Sequence, residues 1–95
     1  MATLRIEHSV PDFTGWKRAF DSDPADRKGS GVRRYTVSRS VEDPNFVMID
    51  LEFDNSSQAE AVHASLRELW GRVQAEGLIG TPKARIVEIV ASKEL

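Results

Sequence analysis

Residues Phe46-Val47-Met48-Ile49-Asp50-Leu51-Glu52-Phe53 alternate strictly, with Val47, Ile49, Leu51 and Phe53 on one side and Phe46, Met48, Asp50 and Glu52 on the other. A period of two belongs to a strand with two different faces, and an apolar strand face must be covered by another layer. The following segment supplies the cover. Asn55-Ser56-Ser57-Gln58 offers several helix N-caps, with Ser57 and Glu60 spaced as a capping box. Ala59, Val62, His63, Leu66, Leu69, Trp70 and Val73 then recur at helical spacing, and Gly77 marks the stop.

The flanking segments repeat the theme. Leu4, Ile6, His8 and Val10 alternate with Thr3, Arg5, Glu7 and Ser9, which predicts a first strand. Pro11 and Asp12 open a helix, Asp12 as N-cap, carrying Phe13, Trp16 and Phe20 on one face. Asp21-Ser22-Asp23-Pro24 ends that helix, and Gly29-Ser30-Gly31 turns into a second strand over Val32–Val41. Glu42-Asp43-Pro44-Asn45 joins it to the third strand as a hairpin turn. After Gly80-Thr81-Pro82 comes a last strand, Ala84–Ala91. It is apolar at both parities through Ile86, Val87, Ile89 and Val90, which predicts a central place.

Strand, helix, strand, hairpin, strand, helix, strand is the split βαβ arrangement of an α+β, ferredoxin-like βαββαβ fold. Right-handed crossovers put both helices on one face of a four-stranded antiparallel sheet. Leu4, Ile6 and the Val47-to-Phe53 set are assigned to the helix side. The opposite face is expected to carry Arg5, Glu7, Arg34, Asp50, Glu52 and Glu88 among Val32, Phe46, Met48, Ile86 and Val90. Such a mixed surface suits burial against an identical copy. A chain of 95 residues forms one domain over 1–95 with a thin stability margin, so burial against a second copy would help it.

Composition excludes several classes of function. Thirteen Lys and Arg are interleaved with fifteen Asp and Glu for a net charge of −2, without the basic face that nucleic acid requires. No cysteine is present, so disulfides and thiolate catalysis are excluded and a reducing cytoplasm fits. Arg5 and Glu7 interrupt the N-terminus where a signal peptide needs an apolar run, and no stretch reaches the roughly 18 apolar residues of a membrane span.

The element order, the length, and the placements Val10-Pro11-Asp12-Phe13 before a Trp16-bearing helix, Asp43-Pro44-Asn45 at the hairpin and Leu51-Glu52-Phe53-Asp54 before the second helix resemble the dimeric α/β-barrel proteins. The best-known of these are the antibiotic-biosynthesis-monooxygenase-like domains. The resemblance implies two sheets facing each other in a dimer and a pocket between each subunit's sheet and helices. It also implies a role among cofactor-free oxygenases, haem-degrading enzymes, small isomerases or stress-response proteins. The haem-degrading members use an Asn, a Trp and a His with the Trp first; here strand one carries His8 and His63 precedes Trp70, so that motif is absent.

His8 is the candidate catalytic residue, because its parity sets an imidazole among Leu4, Ile6 and Val10 on the face to be covered. It is either a pocket base or hydrogen-bond partner, or a core histidine satisfied by a backbone carbonyl or Asp12. Trp16, Tyr35 and Trp70 supply flat apolar surface for an aromatic ligand and serve equally as core. His63 lies on the apolar side of the second helix, as a substrate contact or a boundary residue. Two imidazoles without a spaced third ligand do not make a metal site, and no cofactor motif is present. Arg33, Arg34 and Arg39 are candidate carboxylate contacts or simply solvated. The reading is a cofactor-free oxygenase or isomerase acting on a small aromatic or polyketide-like compound, or a non-enzymatic dimer that binds a small apolar ligand or has a filled core.

Overall fold

The computed structural model describes residues 1–22 and 26–95. Its elements are β1 (Ala2–Ser9), α1 (Phe13–Asp21), β2 (Arg34–Arg39), β3 (Phe46–Phe53), α2 (Ser56–Ala75) and β4 (Lys83–Glu88). They form the βαββαβ order with one four-stranded antiparallel sheet in the order β2-β3-β1-β4.

The centre of the molecule is the β1–β3 ladder, in which Leu4 faces Leu51, Ile6 faces Ile49 and His8 faces Val47. These side chains share the covered side, and Leu4, Val47 and Phe53 are sealed from solvent. Strand β3 has the predicted bounds and faces. Helix α2 packs across β1, β3 and β4 through Ala59, Val62, Leu66 and Val73. Helix α1 buries none of its nine residues.

Side chains and glycines set the helix ends. The Asp12 carboxylate accepts from the Gly15 N–H at 3.0 Å, as an N-cap should. Helix α1 stops at Ser22; the rest of the predicted stop signal, Asp23 and Pro24, lies outside the described residues. Helix α2 is capped by Asn55, the first of the residues offered, whose Oδ1 accepts from the Gln58 N–H at 3.0 Å, so the capping box spaced on Ser57 and Glu60 is not the one used. At its far end Gly77 adopts φ 76°, while Gly77 N–H and Leu78 N–H return to the Gln74 and Val73 carbonyls. That pair of bonds is a Schellman cap and needs the left-handed residue that glycine supplies.

The expectations for β4 and for Val32 are corrected. Strand β4 is an edge strand, and its register sets Ile86 opposite Leu4 and Val87 opposite Thr3. Ile86 therefore joins the core and Val87 the open face, while Glu88, opposite Ala2, falls on the helix side. Val90 lies beyond the strand and is 89% exposed. Val32 precedes the shorter β2 and is buried in the core, because its N–H bonds back to the Arg27 carbonyl and the chain turns there. Alternation fixes which residues share a face but not how a doubly apolar strand registers with its neighbour.

The open face accordingly carries Phe46, Met48 and Val87 among charges, with Arg5–Asp50 at 3.3 Å and Arg34–Glu52 at 3.1 Å. Substituting Phe53→Ala should destabilise the protein by about 3–5 kcal/mol, since the ring is fully enclosed and leaves a cavity. Val90→Ala should be within about 0.5 kcal/mol of wild type. Urea denaturation of both variants measures the contrast.

Candidate functional site

Between the sheet, α1 and α2 lies a cavity of about 370 Å³, within the range of small-molecule sites. Ile6 and Ile49 form its floor, Trp16 and Phe20 its α1 wall, and Leu66 and Trp70 its α2 wall. Amphipathic spacing explains the lining: each helix turns its apolar stripe toward the sheet, α2 packing closely on it and α1 meeting it only through the half-buried Phe13, Trp16 and Phe20.

His8 is set into this wall by the strand alternation that buries Leu4 and Ile6. It is 3% exposed and its ring meets the Trp16 ring edge-on with centroids 5.9 Å apart. Its Nδ1 lies 3.1 Å from the Ser9 carbonyl oxygen. A carbonyl only accepts, so Nδ1 carries the proton, and the neutral ring presents Nε2 as an acceptor. Desolvation lowers the His8 pKa below its ordinary value, against a smaller opposing effect of the Ser9 bond. The buried imidazole is therefore kept neutral and held by one nitrogen.

Trp16 and Trp70 join His8 on the cavity wall. Two other sequence candidates do not. Tyr35 is 44% exposed on edge strand β2, against Phe20 with centroids 5.4 Å apart, and His63 packs on Trp70 from the side with centroids 6.0 Å apart. The candidate arginines are engaged elsewhere: Arg33 binds Asp54 at 2.7 Å, Arg34 binds Glu52, and Arg39 lies over the Phe13 ring at 4.4 Å. The Asp54 carboxylate raises the Arg33 pKa.

Sequence reasoning missed Arg27 and Ser30, which line the cavity from the loop before β2. Arg27 donates from Nη1 to the Phe20 carbonyl at 2.9 Å and covers the Phe20 and Tyr35 rings at 3.9 and 4.7 Å. A loop residue has no periodicity to place it, so no signal in the chain marked it. Among the described residues no three His, Asp or Glu side chains gather at metal-binding distances.

Because the folded His8 pKa is depressed, the unfolded chain binds more protons once pH drops through the unfolded value of about 6.5. The stabilisation of the neutral ring is thus fully present above that pH and is lost as pH falls from there toward the folded pKa. NMR titration should place His8 below 6.5. Urea denaturation between pH 8 and pH 5 should show a steeper stability loss for wild type than for His8→Phe; equal slopes would contradict the buried neutral ring.

The chain matches no family model and no curated protein. Solved structures do match in fold. A mutant of SnoaB, a cofactor-independent oxygenase from Streptomyces nogalater, superposes with TM-score 0.74 at 14% identity, covering 96% of this chain and 94% of that one. A proposed antibiotic biosynthesis monooxygenase from Deinococcus radiodurans gives TM-score 0.71 at 19% identity, covering 100% and 98%. A dimeric ferredoxin-like protein from an uncultured marine organism gives 0.65 at 13% identity, covering 97% of each chain. At these identities the likeness is one of fold: the chain shares the ferredoxin-like fold of these proteins.

Proposed function

We propose that this chain is a cytoplasmic, homodimeric oxygenase or isomerase. It would work without a cofactor on a small aromatic or polyketide-like compound held between its sheet and helices. The observation that carries the reading is the neutral, wall-mounted His8 in a mainly apolar 370 Å³ cavity. Burial keeps the ring as the free base with Nε2 open to accept a proton, and a substrate anion formed beside it would stabilise the imidazolium, which is what deprotonating a phenol or activated methylene requires. The resulting anion either takes the proton back at another carbon, which is isomerisation, or reacts with dioxygen. In the second case a methylene and O2 become a ketone and water, one oxygen entering each product, with dioxygen as oxidant. The fold shared with a cofactor-independent oxygenase supports this reading.

The homodimer is proposed through the open sheet face. Phe46, Met48 and Val87 there would each contribute up to about 1.5–3 kcal/mol on full burial, and the charges between them can pair across a two-fold axis. A non-catalytic ligand-binding dimer is the alternative, favoured by how few polar groups line the cavity.

Two measurements test these readings. Oxygen uptake with anthrone, followed by absorbance of the ketone product, should fall at least about 100-fold in His8→Phe while thermal shift by the same compound persists. Binding with no turnover in wild type would move the assignment to the ligand-binding dimer. Light scattering should give twice the chain mass, and Met48→Lys should shift the molecule toward monomer; an unchanged dimer would place the interface elsewhere.

A further inference from the structure

Beside the apolar cavity lies a second void of about 390 Å³. The two share Ser30, Val62, Leu66 and Leu69, so the second adjoins the first between α2 and the loop before β2. Helix geometry explains the arrangement. Val62, Leu66 and Leu69 form the stripe over the main cavity, and Ala61, Ser65 and Arg72 form the neighbouring stripe that completes the second void.

The two compartments differ in chemistry. The inner one is bounded mainly by aromatic and aliphatic side chains, whereas the outer one is lined also by Ser30, Ser65 and Arg72, the Ser65 hydroxyl donating to the Ala61 carbonyl at 3.3 Å. Among the described residues no carboxylate lines the outer void. On the inner wall the Asp12 carboxylate is committed to the α1 cap. Arg33 and Arg34 are each held by a carboxylate, but among the described residues no ion pair engages Arg72. A guanidinium at the edge of an apolar chamber is matched by a planar anion that accepts two parallel hydrogen bonds.

We propose that the compound bound here is an aromatic carboxylate, its rings in the inner cavity beside His8 and its carboxylate in the outer void against Arg72. This deepens the functional reading above and rests on the inner cavity being the ligand site.

The probes are 2-naphthoate and its uncharged counterpart 2-naphthamide, titrated calorimetrically into wild type and Arg72→Gln at pH 8, where His8 is neutral. Naphthoate should bind wild type about tenfold more tightly than naphthamide, the discrimination given by one charge-assisted pair at a partly exposed site. Arg72→Gln should abolish that preference and leave naphthamide affinity unchanged. Equal affinities in wild type, or a preference that survives Arg72→Gln, would overturn the carboxylate assignment while leaving the inner cavity established as a site. Failure of both probes to bind wild type would overturn the site itself.

Discussion

The parity of strand β1 is the constraint on which the site depends. Ala2, Leu4, Ile6 and His8 share the covered face, so the alternation that builds the core also carries an imidazole into it. A buried polar ring is costly unless partnered. The partner is the carbonyl of the very next residue, Ser9, which also accepts the Gly80 N–H at 2.9 Å. One carbonyl thus ties together the end of β1, the histidine ring and the loop that leads from α2 into β4. A Cβ on Gly80 would overlap Ser9 Oγ, so this close approach is suited to glycine.

The cavity exists because the two helices meet the sheet differently. Helix α2 runs for 20 residues and fully buries Ala59 and Val62, whereas α1 runs for nine and only half-buries Phe13, Trp16 and Phe20. The α1 roof is held at its two ends. Asn45 Oδ1 accepts the Phe13 N–H at 3.1 Å at one end, and Arg27 binds the Phe20 carbonyl at the other. Between those ties Trp16 packs on Phe20 with ring centroids 5.2 Å apart, and the stripe meets the strands through Trp16 on His8 and Phe20 on Tyr35, so ring-to-ring contacts hold it without full burial. A roof supported in this way can leave space beneath it without leaving its own apolar surface unpartnered.

Where one pattern had a single solution, the chain was legible. Strand β3 alternates without exception and emerged with the predicted bounds and faces. The burial of His8 follows from its place in the β1 alternation. Strand β4 is apolar at both parities, so its register, and with it the sides taken by Ile86 and Val87, had to come from pairing with β1. Asn55 outcompeted the Ser57 box because adjacent residues were all competent caps, and composition alone does not rank them. Tyr35 shares the helix-side parity but sits on an edge strand beyond the cavity's reach. His63 belongs to the apolar stripe of α2 yet turns to the flank of Trp70. Periodicity assigns a face; it does not measure distance along that face. Arg72 had a readable position, three residues from Leu69, but nothing in the sequence could show that a void lies beside it.

How His8 is held also narrows the chemistry open to it. With Nδ1–H committed to Ser9, the neutral ring offers only an acceptor at Nε2. To donate from Nε2 to a substrate carbonyl it would have to be protonated, the form that burial disfavours. Polarising a carbonyl would need the imidazolium from the outset, whereas a proton taken from a substrate leaves an anion beside the ring that offsets the cost of its charge. The compounds that gain most are those whose reactivity begins with loss of a proton: phenols and methylenes flanked by aromatic or carbonyl groups. Once protonated, the ring gains charge in an apolar surround, which favours prompt return of that proton to the anion or to a reduced oxygen species. A base that is easily protonated only while the substrate anion neighbours it suits a cycle in which the proton is borrowed and given back, as both isomerisation and oxygen insertion require.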